Sequence, residues 1–199
     1  MRQRTISLDA DLMDQIDQIV KQTERRINHL ETTAIGLDIP SINELRYALN
    51  HLLRYLNNDE SGGKDVLKHA RRALYDCYET ESLFLLDVFQ TFETDYSTFP
   101  IQRFIPDYMA WARQSDELQE FMQATPRDNR ENYYQQLEAL LEKLRPVKSS
   151  LRAARQEINK EILELQKKEI ESRRTLQIAL WSAGATVTAA IVAAIALMK

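Results

Sequence analysis

The stretch that decides the architecture stands near the end of the chain: TLQIALWSAGATVTAAIVAAIALM, residues 175–198, which contains no charged side chain. At 1.5 Å per residue, an α-helix of this length is about 36 Å long, enough to cross a hydrocarbon core of about 30 Å. A buried core helix is the alternative, but such helices usually supply shorter apolar runs. The sequence therefore predicts a single C-terminal transmembrane helix over 175–198.

Small residues recur four positions apart in this predicted span. They are Gly184 and Thr188, together with Ala185, Ala189 and Ala193. In membranes, small residues at this spacing let helix backbones approach closely and pack. We therefore expect these positions to mediate assembly of several copies of the chain. An anchor that associates with nothing remains the alternative.

Basic residues flank the predicted span unequally. Lys167, Lys168, Arg173 and Arg174 precede it, whereas only Lys199 follows it. By the positive-inside rule, the large N-terminal part is expected in the cytoplasm, with the lipid bilayer as the first partner of the chain. The single cysteine, at position 77, agrees with a reducing compartment.

The composition favours helix nearly throughout. Only four glycines and five prolines punctuate 199 residues, and good helix formers dominate. We therefore predict an all-α protein with three parts: a cytoplasmic helical bundle over 1–145, a helical stalk over 146–174 and the membrane helix over 175–198. The formal charge of −4 gives no overall basic field, so direct nucleic-acid binding is not favoured beyond a local patch.

Periodicity and punctuation place the first helices. A first helix is expected from Ser7 or Asp9 to about Thr33. The sequence Ser41-Ile42-Asn43-Glu44 has the form of a capping box, which predicts a second helix from Ile42. That helix is expected to carry a leucine face on one side and to end in the loop-like residues 57–63. The face consists of Leu45, Leu49, Leu52, Leu53 and Leu56.

A third helix is expected from Lys64 to about Asp95. Its residues 83–89, LFLLDVF, are apolar on almost every side, which predicts that neighbours of the same bundle or of an assembly surround them. A shorter helix should cover about 107–124. The last run should open at 125–128, with Pro146 kinking or interrupting it. Beyond Pro146 the apolar stripe narrows to a single seam of Leu151, Ala154, Ile158, Ile162 and Leu165.

The catalytic inventory is sparse. One cysteine and three widely spaced histidines match no metal-ligand spacing, and Gly62-Gly63 is not followed by the Gly-Lys-Ser/Thr that a phosphate loop needs. We therefore expect no metal and no cofactor. Polar residues do cluster on the hairpin of the second and third helices. The cluster comprises Glu44, Arg46, Asn50, His51 and Arg54, facing His69, Arg72, Asp76 and Glu79.

Within this cluster, Arg46-Tyr47-Ala48-Leu49-Asn50-His51 has the spacing Arg-x4-His. An Arg-x4-His motif in a helical hairpin resembles the HEPN superfamily, whose metal-independent ribonucleases cleave RNA with such a pair. The resemblance implies that His51 is a general acid or base and that Arg46 stabilises the phosphate transition state. With the membrane span, the architecture resembles the membrane-associated HEPN-like ancillary proteins of type VI-B CRISPR systems. That resemblance implies an oligomeric pore in the bacterial inner membrane that assists an RNA-guided, RNA-targeting nuclease.

The stripe of His69, Arg72, Asp76 and Glu79 has two interpretations. It forms either a solvated helix face with ion pairs such as Arg72 with Asp76, or a polar network between helices or subunits. Three functions follow from the whole sequence. The favoured one is an oligomeric membrane effector or pore of antiviral defence; the alternatives are a membrane-tethered HEPN ribonuclease and a tail-anchored scaffold.

Overall fold

The structure, a computed structural model, describes residues 9–32, 38–57 and 61–197, without side chains for Ser61 and 184–197. Within these residues the chain is all-α, as predicted, and contains no strand. The α-helices are α1 Ala10–Thr32, α2 Ile39–Leu56, α3 Ser61–Tyr96, α4 Tyr108–Ala124 and α5 Arg130–Leu197, with a short 3-10 helix at Ile101–Arg103. The predicted limits of the first helix and of the helix at 107–124 are confirmed to within about two residues.

Helices α2 and α3 form an antiparallel hairpin. The first turn of α3 lies against the end of α2, because a Cβ atom on Gly62 would come within 2.7 Å of the His51 carbonyl oxygen. Further along, the Cys77 thiol donates to the Ser41 hydroxyl at 3.2 Å. The Cys77 side chain is buried, and this burial raises the pKa of its thiol to about 12.

The glycines at 62 and 63 correct one prediction. They were expected in a loop over 57–63, but α3 begins at Ser61 and includes both. Any side chain at Gly62 would also meet the Tyr55 amide nitrogen at 2.9 Å. The glycines therefore permit two helix backbones to approach closely, and they do not break the helix.

The predicted capping box is wrong. Helix α2 starts three residues before Ile42, with Asp38 preceding it and Pro40 in its first turn. The Ser41 hydroxyl donates to the Asp38 carboxylate, and Glu44 contacts His69. Glu44 thus makes a tertiary contact with α3, and the Ser41 hydroxyl bonds to the carboxylate of the residue before the helix and not to a first-turn N–H. Pro40 pre-organises the helix start without a capping side chain.

The predicted leucine face of α2 is only partly covered by the rest of the unit. The helix buries Ser41 and Ala48, while Leu49 and Leu53 are 54% and 51% exposed. Small residues on the buried side allow the close approach to α3 seen at Gly62. The leucine next to Ala48 is consequently turned about 100° away from the interface.

Helix α1 completes the central core. The Asp9 carboxylate accepts a hydrogen bond from the Asp11 backbone N–H at 3.1 Å and so caps the helix. Along α1, Ile16 packs in one cluster with Ala48, Val66 and Ala70. A second cluster joins Ile27 and Leu30 to Cys77.

The apolar end of α3 is only partly enclosed. Leu85 and Phe89 are buried, but Leu83 is 61% exposed. The expectation that the same bundle surrounds this stretch is therefore wrong at Leu83, while the assembly alternative stays a prediction. Phe89 stacks on Tyr108 of α4, with ring centroids 5.5 Å apart.

Helix α5 begins later than predicted and continues through its proline. Residues 125–128 lie outside the helix. At the start of α5, the Asn129 side chain accepts a hydrogen bond from the Asn132 backbone N–H at 3.2 Å. Pro146 lies inside the helix and does not interrupt it. Buried Leu144 and Val147 on either side of the proline hold the helix against the core, which outweighs one lost backbone hydrogen bond.

The chain divides into two compact units, an N-terminal unit Met1–Leu151 and a C-terminal unit Arg152–Lys199. The predicted boundary between bundle and stalk, at 145/146, falls within α5. Among the described residues, no helix combines the length and the apolar character needed to cross a membrane. The predicted span 175–198 extends past the last described side chain, Ala183, so Gly184, Ala185, Thr188, Ala189 and Ala193 lie outside the described side chains.

Candidate functional site

Two histidines meet between the helices of the α2–α3 hairpin. The rings of His51 and His69 stack with centroids 5.0 Å apart and planes 11° apart. His69 Nδ1 lies 2.6 Å from a Glu44 carboxylate oxygen. His51 Nδ1 lies 3.6 Å from an Asp65 carboxylate oxygen, a distance too long for a hydrogen bond. Each imidazole therefore has a carboxylate beside it, an arrangement that can accept and release protons.

Arg46 does not belong to this histidine pair. Its side chain is exposed, and its guanidinium lies 5.3 Å from the centroid of the Tyr47 ring. Five residues of regular helix separate Arg46 from His51, which places their side chains about 140° apart around α2. One chain thus presents the two residues of the Arg-x4-His motif on different sides of the helix.

The remaining residues of the predicted polar cluster form separate contacts. Arg72 contacts Asp76 of the same helix at 3.4 Å, and partial burial raises the pKa of Asp76 although Arg72 opposes the shift. Glu79 accepts hydrogen bonds from Arg127, at 2.9 Å, and from the Tyr134 hydroxyl. Arg54 is exposed in the last turn of α2. The structure therefore distributes these residues over three sites.

A second polar cluster, which was not predicted from the sequence, surrounds Glu81. Its carboxylate is the most deeply buried charged group among the ion pairs described. The Glu81 side chain is only 3% exposed and accepts two hydrogen bonds from Arg145, at 2.7 and 2.8 Å. From α1, Arg26 approaches Glu81 at 3.9 Å and His29 at 3.4 Å. We call Glu81, Arg145, Arg26 and His29 the Glu81 cluster.

Electrostatics within the Glu81 cluster favour the charged carboxylate. Burial alone would raise the pKa of Glu81, but the hydrogen bonds and charge of Arg145, followed by the charges of Arg26 and His29, hold the pKa below its ordinary value. Arg26 also pairs with Glu138, and Arg145 with Glu142. The cluster thereby joins α1, α3 and α5 within the N-terminal unit.

Only a weak signal in the sequence marks the Glu81 cluster. Glu81 stands two residues before the start of the apolar run 83–89, where a carboxylate needs a partner if the helix is buried. The partner, Arg145, is 64 residues away and lies in a helix rich in charge. Nothing in a single sequence distinguishes Arg145 from its neighbours.

The C-terminal unit exposes many large apolar side chains. In its described part they are Leu163, Leu165, Ile170, Leu176, Ile178, Leu180 and Trp181, and the exposed fraction reaches 82% at Trp181. Arg173 pairs with Glu169 one turn earlier, at 2.7 Å, on the same helix. This helix surface is more apolar than a water-facing helix needs, which makes it a candidate contact surface for lipid or another chain.

Among the described residues, no group of three or more His, Cys, Asp or Glu side chains is placed to hold a metal ion. Comparison of the chain with protein-family models, curated proteins and solved structures gave no match. The resemblance to HEPN proteins therefore rests on the Arg46–His51 spacing and the helical hairpin, and it stays a prediction.

Proposed function

We propose that the chain is a membrane-anchored, homo-oligomeric effector whose C-terminal helix enters the bacterial inner membrane and whose N-terminal unit works in the cytoplasm. The observation that carries the proposal is the exposed apolar surface of α5 over residues 176–181. Leu176, Ile178, Leu180 and Trp181 are all more than 60% exposed. Burial of such side chains in lipid or against other chains is favourable by roughly 1.5–3 kcal/mol each.

The uncharged sequence 175–198 and the basic residues before it support the same orientation. The small residues of the span support close packing of several helices. Assembly into a pore that depolarises the membrane, in antiviral defence beside an RNA-guided nuclease, is the form of this function that the HEPN-like resemblance favours. A tail-anchored scaffold would use the same anchor without permeabilising the membrane.

Removal of the anchor should release the protein from the membrane. We expect the full chain in the membrane fraction of bacterial cells after washes at high salt and at alkaline pH. A truncation lacking 175–199 should be found in the soluble fraction, because it loses the uncharged span. Fractionation followed by immunoblotting measures this difference. Full-length protein that is washed off without detergent would contradict the anchor.

Matched lysine substitutions separate insertion from surface adhesion. Ile191→Lys places a charge in the predicted span and should weaken insertion by about 2.5–3.5 kcal/mol. Leu163→Lys places the same charge at a position that is already 58% exposed outside the span, and it should leave the protein in the membrane. A phosphatase reporter fused after Lys199 should be active outside the cytoplasm. Equal behaviour of the two lysine variants would argue against a transmembrane helix.

A second candidate function, a membrane-tethered ribonuclease, is favoured by one observation, the stacked His51–His69 pair with its two carboxylates. Two imidazoles at this distance could supply the general base and the general acid of RNA cleavage at the 2′-hydroxyl. The separation of Arg46 from His51 on α2 requires that a second subunit, or another basic residue, stabilise the phosphate.

RNA cleavage in EDTA distinguishes the two functions. If the chain is a ribonuclease, His51→Ala should abolish cleavage by purified protein while circular dichroism and oligomer mass stay unchanged. Asn50→Ala is the matched control on the same turn of α2. We expect no cleavage by the wild-type protein. Robust cleavage that depends on His51 would favour the ribonuclease over the effector.

A further inference from the structure

A groove lined by both apolar and acidic side chains runs between α3 and α4 of the N-terminal unit. Its α3 wall contains Leu83, Leu86 and Phe89, and Met122 of α4 lies opposite. Leu83 is 61% exposed although it belongs to the most apolar stretch of the helix. Polar side chains, among them Gln90, Ser115, Gln119 and Gln123, complete the lining. An exposed leucine beside Leu86 and Met122 leaves apolar surface that a partner side chain can cover.

The dimensions of the groove suit a helix. Its walls extend from Leu83 to Glu93 of α3 and from Ser115 to Gln123 of α4, which correspond to roughly 15 Å and 12 Å of helix axis. Roughly two to three turns of a third helix would therefore fit along them. Apolar side chains at positions i, i+3, i+4 and i+7 of such a helix could contact Leu83, Leu86 and Met122, as in other helix-in-groove complexes.

The charge of the groove selects the partner. Asp87, Glu93 and Asp116 line it, and no Lys, Arg or His does. Glu93 accepts a hydrogen bond from the Tyr108 hydroxyl at 2.8 Å. Asp87 and Asp116 are exposed, and neither has an ion-pair partner among the residues that the structure describes. A helix with a basic face would neutralise these carboxylates.

A second copy of the chain fits the groove less well. A second copy that docked through the same groove would place Asp87 and Asp116 against identical carboxylates, which repel one another.

We propose that the α3–α4 groove binds a cationic amphipathic helix of a partner protein. Leu83 is the central apolar contact, and Asp87 and Asp116 attract the basic face of the partner. The site lies within the N-terminal unit and does not depend on the anchor. A failure of this proposal would therefore leave the membrane function proposed above untouched, and the reverse also holds.

Peptide binding to the full chain in a neutral detergent tests the site. The probe is a fluorescent 14-residue peptide with leucines at i, i+3, i+4 and i+7 and lysines on its other face. Leu83→Ala should raise the dissociation constant by about tenfold, the size of a central apolar contact. Leu53→Ala removes an equally large leucine that is 51% exposed on α2, and it should leave the constant unchanged.

A double variant tests whether the acidic residues of the groove attract the peptide. Asp87→Asn with Asp116→Asn should weaken binding and reduce its dependence on salt, whereas Asp14→Asn on α1 should do neither. Equal effects of Leu83→Ala and Leu53→Ala, or equal binding of a peptide with glutamates in place of the lysines, would overturn the proposal. A fall in oligomer mass caused by Leu83→Ala would also overturn it and assign the groove to a second copy of the chain.

Discussion

Replacing Arg145 with leucine should lower the free energy of unfolding by about 3–5 kcal/mol, the cost of removing the hydrogen-bonded partner of a buried charge. Arg145 makes both hydrogen bonds to the Glu81 carboxylate, whose side chain is only 3% exposed. Because whole domains are stable by only about 5–15 kcal/mol, this single change should bring the N-terminal unit close to unfolding at physiological temperature. Urea denaturation followed by far-ultraviolet circular dichroism measures the loss.

Two further variants show whether the lost partner is the cause. Arg127→Leu breaks an ion pair with Glu79 whose side chains are 48% and 30% exposed, and it should cost at most about 1 kcal/mol. Adding Glu81→Gln to Arg145→Leu should recover part of the stability, because the buried carboxylate is no longer charged. Equal losses in Arg145→Leu and Arg127→Leu would show that the Glu81 cluster contributes no more than a surface pair.

Acid should weaken the same cluster. The pKa of Glu81 is lower in the folded chain than its ordinary value of 4.5, so its contribution to stability is present above that value. The contribution is lost as the pH falls through the lowered pKa, because protonated Glu81 no longer attracts Arg145, Arg26 and His29. The stability difference between wild-type protein and Glu81→Gln should therefore shrink below about pH 4.5. A difference that stayed constant to pH 3 would contradict this linkage.

The second large effect is expected in the membrane. Gly184→Leu should reduce both the oligomer mass and the permeability caused by the protein, because a leucine keeps neighbouring helix backbones apart where glycine lets them touch. This prediction rests on the sequence, since Gly184 lies outside the described side chains. Native mass spectrometry in detergent measures the assembly, and dye release from liposomes measures the permeability.

Ile191→Leu is the matched control for Gly184→Leu, since it keeps an apolar side chain of equal size in the same predicted span. It should leave assembly and dye release unchanged. If Gly184→Leu behaves in the same way as this control, the oligomeric pore is wrong and a tail-anchored scaffold becomes the better account of the protein.

The helical class and several helix ends could be predicted because they depend on local signals. The Asp9 cap and the prolines before α4 act within a few residues of the helix ends that they determine. The predicted helix limits were wrong where a tertiary contact determined the local structure. Gly62 resembles a loop residue by composition, but the approach of α2 requires it inside a helix.

The distinction between local signals and tertiary contacts also explains which parts of the candidate sites could be predicted. Glu44 and His69 could be placed in one cluster because the hairpin brings α2 and α3 together. The spacing of residues along α2 and α3 could not show that His51 would stack on His69 while Arg46 faced away from both. That outcome depends on the rotation of each helix about its own axis. The Glu81 cluster joins three helices that are distant in sequence, and periodicity carries no information about such pairing.

The chemical inertness of Cys77 makes the protein convenient for thiol-specific labelling. Maleimides react with the thiolate, and a thiol whose pKa is raised to about 12 in a buried position contains almost none of it at neutral pH. A cysteine introduced at an exposed site, such as Leu163 on the C-terminal unit or Leu83 in the groove, would therefore be the reactive thiol of the folded chain. Dyes and spin labels can then be attached at chosen positions while Cys77 keeps its contact with Ser41.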